Sequence, residues 1–121
     1  MSPNQQRIAL AQWEGWKKEF IHGNGVDADV WIEPTCSRCF LAEIDALPCY
    51  LTDLNEVHRL EKKLSDDDFA EYRMFLYKIT CPPKLSELGL FRSPQHERLM
   101  LSATAAQKCE AMIKALNLWI P

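Results

Sequence analysis

Cys36-Ser37-Arg38-Cys39 places two thiols in one short segment, the spacing that supplies half of a tetrahedral zinc site. The other half would have to come from Cys49, Cys81, His58 or His96, single residues on separate stretches. The same spacing serves thiol redox chemistry when it opens a helix behind a strand, where the helix dipole and a neighbour such as Arg38 favour the thiolate. No thioredoxin-like βαβ pattern surrounds it. Cys36 and Cys39 are metal candidates by spacing alone; the reading favours ordinary thiols, with no metal and no cofactor.

Nucleophilic catalysis needs a nucleophile within hydrogen-bond reach of a base. His22 falls in a turn and His96 in a connecting loop, both expected in water. His58 lies beside Arg59 and Lys62 on the polar side of a helix. No G-x-S-x-G or HExxH motif occurs, and glycines at 15, 23, 25 and 89 alone cannot build a phosphate-cradling loop. Asp66-Asp67-Asp68 reads as helix N-terminal acids, where the macrodipole favours negative charge, rather than as a metal cluster. The expectation is a protein that is not an enzyme.

Binding chemistry is better represented. The helix over Asp53–Leu64 turns Asn55, His58, Arg59 and Lys62 away from its apolar stripe, and these groups suit a phosphate or a carboxylate. Trp31 falls on the strand face opposite Val30 and Ile32, so it is either covered by a helix or offered as an aromatic contact. The expected binding surface combines loop 34–52, the polar side of the Asp53 helix and the 81–97 connection.

With 14 basic and 17 acidic residues the net charge is −3, which gives no general attraction for nucleic acid. No strong non-specific nucleic-acid binding is expected. No stretch reaches the roughly 18 apolar residues of a membrane span. Met1–Ala11 lacks the apolar core of a signal peptide, and five cysteines are an odd count. The expected location is the cytoplasm, with reduced thiols.

The elements that must position these groups follow from periodicity. Gln5–Trp16 reads as a helix with Ala9, Trp13 and Trp16 on one face. Trp16–Ile21 and Ala28–Glu33 read as a hairpin around Asn24-Gly25. Phe40–Ile44 suits either a helical or an extended piece. Asp53–Leu64 carries a capping box of Asp53 and Glu56 and a stripe of Leu54, Val57, Leu60 and Leu64. A helix from Ser65 buries Phe69, Tyr72, Leu76 and Ile79 and stops at Cys81-Pro82-Pro83. A connection follows over 84–97, with room for one turn at Leu85–Leu88. Arg98–Leu101 can add a short third strand. Ser102 or Thr104 opens the last helix, Thr104 with Gln107 fitting a capping box; the helix buries Ala106, Cys109, Ile113 and Leu116, with Ala105 and Met112 widening the face, and ends near a left-handed Asn117. This order predicts one α+β domain over residues 1–121: a small antiparallel sheet, a hairpin with a possible third strand, layered with about four helices.

Three segments together resemble a known family. They are Gly15-Trp16-Lys17, the run Leu51-Thr52-Asp53-Leu54-Asn55-Glu56-Val57-His58-Arg59-Leu60-Glu61-Lys62, which is similar to "LNDLNAMHEAEK", and Ser102-Ala103-Thr104-Ala105-Ala106-Gln107-Lys108-Cys109-Glu110-Ala111, which is similar to "HATAAQRAEA". A Leu-rich end with Trp119 follows. The chain resembles the small phage and prophage proteins of the phage ABA-sandwich family over about half its length. The resemblance implies a phage origin, the host-cell cytoplasm and a helix–sheet–helix layering; it carries no assigned chemistry. The Cys36–Cys39 loop and the 81–97 connection depart from that pattern.

Function is expected to be that of a phage accessory binding protein, a counter-defence factor that inhibits a host immune protein or sequesters a nucleotide signal. The alternative is a small phage enzyme or zinc-binding regulator in nucleotide or nucleic-acid metabolism.

Overall fold

The computed structural model of the chain describes residues 1–23, 25–35, 39–41, 43–81 and 94–121. Among them are five α-helices and one antiparallel sheet of order β1-β2-β3, an α+β fold. The chain divides into two compact units, Met1–Cys49 and Tyr50–Pro121.

In the first unit, α1 spans Pro3–Glu14. Ser2 caps it through a reciprocal box with Gln5, and Pro3 occupies the first turn, where its missing N–H costs nothing. The helix begins two residues earlier than expected and ends two earlier. Gly15 terminates it at φ 115°, and the Trp16 N–H then closes on the Ala11 carbonyl at 2.9 Å. Because the helix stops there, Trp16 does not continue the helical period. Leu10 and Ala11 form the buried face instead of Ala9 and Trp13, and Trp16 is buried beyond the turn. The Arg7 guanidinium ties α1 to the segment after the sheet by donating to the carbonyls of Leu47 and Pro48.

Alanine at Gly15 is expected to destabilise the protein by about 1–3 kcal/mol in urea unfolding, since a non-glycine residue is strained at that φ. Its Cβ would also stand 3.0 Å from Pro34 Cβ. Unchanged stability would mean that the turn does not need glycine.

β1 spans Lys17–Gly23 and β2 Val26–Ile32, in a register that sets Gly23 opposite Val26 and Lys18 opposite Trp31. The turn is the expected one; Gly25 sits at φ 78°, while Asn24 lies outside the described residues. β1 and β2 pair closer to the turn than the periodicity suggested. The third strand is β3, Cys39–Leu41, with Phe40 opposite Trp31; a 3₁₀ turn follows at Ile44–Ala46. The stretch left open in the sequence is therefore extended first and helical afterwards.

In the second unit, α2 spans Leu54–Glu61, α3 Asp66–Thr80, α4 Pro94–Leu101 and α5 Ala105–Ala115. α2 is shorter than expected because Lys63 and Leu64 bond back three residues, to Leu60 and Glu61, tightening the last turn. Asp53 caps it by accepting from the Asn55 N–H; the expected box with Glu56 does not form, because Glu56 pairs with Arg59. Val57 and Leu60 are buried, whereas Leu54 is exposed. Ser65 caps α3, which buries Tyr72 and Leu76 but leaves Phe69 exposed.

Arg98–Leu101 is not a strand: it forms the end of α4. Leu99, Met100 and Leu101 are strong helix formers without β-branching, and Pro94 suits a first helical turn. The expected turn at Leu85–Leu88 and most of the 81–97 connection lie outside the described residues. α5 carries the expected Thr104/Gln107 box. It closes through Asn117 at φ 58°, with Leu118 N–H on Ile113 O and Asn117 N–H on Lys114 O. Its buried face takes Ala105 rather than Ala106, and includes Lys108, Cys109, Met112 and Ile113. With Tyr50, Val57, Leu60 and Tyr72 these form the core of the unit.

Candidate functional site

α2 is amphipathic because Val57 and Leu60 must turn inward. That rotation leaves Asn55, His58, Arg59 and Lys62 exposed, as their sequence positions predicted. The structure does not use them as one set. His58 and Lys62, four residues apart on one side of the helix, line an open cavity of about 540 Å³ together with Glu61 and Phe69. Arg59 is turned to an ion pair with Glu56. Asn55 lies at the start of α2 and outside the cavity lining.

Glu61 organises the cavity. Its Oε1 accepts from His58 Nδ1 at 2.7 Å and stands 4.0 Å from Lys108 Nζ; its Oε2 accepts from the Tyr72 hydroxyl at 2.9 Å. Lys108 is only 7% exposed, so its charge requires this carboxylate. The acceptor-only carboxylate fixes the proton of His58 on Nδ1 and leaves Nε2 as the second ring nitrogen. Burial, then the charge and hydrogen bond of Glu61 and the nearby Cys109, raise the Tyr72 hydroxyl far above the usual tyrosine range. Burial pushes the Cys109 thiol up to about 12; its Sγ donates to the Tyr50 carbonyl at 3.3 Å.

Around the cavity, charge is crowded. Lys63 is held below the usual lysine range by burial and by Arg59, and burial lowers Arg59 as well. Burial and the neighbouring Asp53 raise Glu56. Lys62 has no ion pair among the described residues. Phe69 packs edge-on to Tyr72 at 5.8 Å between centroids, yet remains 39% exposed.

Trp31 is a correction. It lies on the expected face of β2, but it is 3% exposed, with Lys18 Nζ 5.9 Å from its ring centroid. Val30 on the other face is buried too, so both faces of β2 are covered at this point. Trp31 therefore has no ring face to offer a ligand. His22 is exposed, with its Nδ1 hydrogen-bonded to Asp27 Oδ1 at 2.8 Å. His96 falls in α4 rather than in a loop, and its side chain is outside the described residues.

Cys36 lies outside the described residues; Cys39 begins β3, its side chain likewise outside them. Among the described residues no group of three or more His, Cys, Asp or Glu side chains is placed to hold a metal. Asp66, Asp67 and Asp68 form the first turn of α3, as expected.

Glu61, Tyr72 and Lys108 were missed as functional residues. Tyr72 was placed only on the buried side of its helix, and Glu61 and Lys108 only within the runs that carry the resemblance. The available signal was Lys108 itself, three residues after Ala105 and four before Met112 on the buried face of α5. A lysine there demands a buried acid, and a core tyrosine demands an acceptor. No helix among the described residues is long and apolar enough to cross a membrane. Compared with family models, curated proteins and solved structures, the chain finds no match.

Proposed function

We propose that the chain is an accessory binding protein of phage origin that acts in the host-cell cytoplasm by docking on a host protein. The resemblance of its segments supports the origin. The observation that carries the docking surface is the open cavity of His58, Glu61, Lys62 and Phe69 on α2 and α3. A small ligand is normally buried over most of its surface, which an open depression does not provide. A protein partner supplies the missing walls and excludes water around the central contacts. This favours inhibition of a host immune protein over sequestration of a nucleotide signal.

A second reading, a small phage enzyme acting on nucleotides, draws on one observation: Glu61 orients His58 as an acid orients a general base. Among the described residues no hydroxyl or thiol is hydrogen-bonded to His58 as a nucleophile. The binding reading is therefore preferred.

The test is capture from host lysate, scoring proteins and small molecules by mass spectrometry. The expected result is a host protein retained in stoichiometric amount and lost with Lys62→Glu. Arg59 is unsuitable for reversal because it is engaged with Glu56. A co-purified nucleotide with no protein partner, or capture indifferent to Lys62, would overturn the reading.

A further inference from the structure

We infer that β1 is a dimerisation edge: two copies of the chain pair antiparallel through Lys17–Gly23, with Phe20 on the twofold axis, and join their sheets into one. β1 belongs to the first unit, so this edge stands whether or not α2 docks a host protein.

Within the sheet β1 pairs with β2 alone, which leaves one of its sides free. Two residues separate Gly23 from its partner Val26, and the closing pair of such a hairpin exchanges both hydrogen bonds. Counting back by twos, Gly23, Ile21, Glu19 and Lys17 bond inward to β2, while the backbone groups of Lys18, Phe20 and His22 point outward. Among the described residues no turn or loop bonds to that outward side. Every residue from Lys17 to His22 is exposed, and Phe20, in mid-strand, is 55% exposed. A free edge of this length with an apolar centre is a template for another strand.

The spacing selects a second copy as that strand. Three outward residues centred on Phe20 mate with themselves, Lys18 with the second copy's His22 and Phe20 with Phe20, through about six hydrogen bonds. The two Phe20 rings form a cross-strand aromatic pair. The lysines at the start of each strand fall at opposite ends of the pairing, so they do not face one another. Lys18 instead faces a His22 whose ring holds the Asp27 carboxylate at 2.8 Å, which brings a cation to an acid. On the other face Glu19 stands opposite Ile21; the two glutamates lie diagonally, each with its own Lys17 two residues away. The other free edge, β3, has only three residues against seven in β1, so β1 on β1 is the longest pairing and closes as a dimer.

Sedimentation equilibrium of the full chain between about 1 μM and about 1 mM should show a monomer–dimer equilibrium and nothing larger. Over the same range, hydrogen exchange at the amides of Lys18, Phe20 and His22 should slow about tenfold or more, while Lys17, Glu19 and Ile21, already bonded to β2, change little. Phe20→Lys separates the dimer from the fold. Within one chain position 20 faces Asp29 on β2, but in the dimer the change sets two lysines opposite each other. Dimerisation should weaken roughly tenfold or more, with the hairpin kept in the amide spectrum. Assemblies beyond the dimer, a dimer without protection at the three outward amides, or undiminished dimerisation of folded Phe20→Lys would overturn the inference. So would a chain monomeric throughout the range; protection of β1 only with the captured host protein bound would then give the edge to a foreign strand.

Discussion

Reversing the charge at Lys108 is expected to destabilise the protein by about 3 kcal/mol or more, as is usual when one member of a buried ion pair is lost. Lys108 is buried on α5 and its ammonium faces Glu61 at 4.0 Å. A glutamate there would set two carboxylates together with only Tyr72 and His58 to answer them. Lys108→Met separates charge from packing. It keeps the aliphatic volume and leaves Glu61 its two hydrogen bonds, so a loss nearer 1 kcal/mol is expected. Equilibrium unfolding in urea measures both. Equal stabilities for the two variants would show that a second carboxylate beside Glu61 carries no electrostatic cost.

A second large effect is expected at alkaline pH. Cys109 and Tyr72 both hold their protons more tightly in the folded chain, Cys109 up to about 12 and Tyr72 above the usual tyrosine range. For a group raised on folding, the stabilisation is complete below the unfolded value and is lost as pH rises toward the folded one. The window for Cys109 therefore opens near the ordinary thiol value of 9.0. Each such group removes about 1.4 kcal/mol per pH unit within its window, so the loss is on the order of 3 kcal/mol by about pH 11. Thermal melting at pH 8 and pH 11 should show a marked fall in Tm, and Cys109→Ser should flatten it. A Tm unchanged over that range would contradict the burial of these two protons.

Local chemistry was legible in the sequence wherever a backbone requirement was met by neighbouring residues. Asn24-Gly25 announced the hairpin, Thr104 and Gln107 the start of α5, and Asn117 its left-handed end. Four-residue windows were not legible. Arg98–Leu101 carries no period long enough to separate a strand from a helix, and only its lack of β-branching leaned toward α4. The reading of Gln5–Trp16 as one helix passed through Gly15, and because Gly15 ends α1 in the structure, Trp16 leaves the stripe that the period gave it.

The candidate site was half legible for the same reason. The exposed side of α2 follows from the placement of Val57 and Leu60 along one helix. The pairing of Glu61 with Tyr72 and Lys108 joins three helices, and no local pattern records which acid meets which lysine. Trp31 shows the opposite failure. Strand alternation gave its face correctly, but whether that face is covered depends on packing that alternation does not encode.

Docking through the cavity of His58, Glu61, Lys62 and Phe69 is tested most directly by the affinity of the captured host protein for the wild-type chain and for Lys62→Glu, measured by calorimetry at one pH and salt concentration. Lys62 is exposed at the end of α2, and the core beneath it is untouched by the change. A Kd raised about tenfold or more, with Tm unchanged, is the expected result. An unchanged Kd in the folded variant would place the partner on another surface.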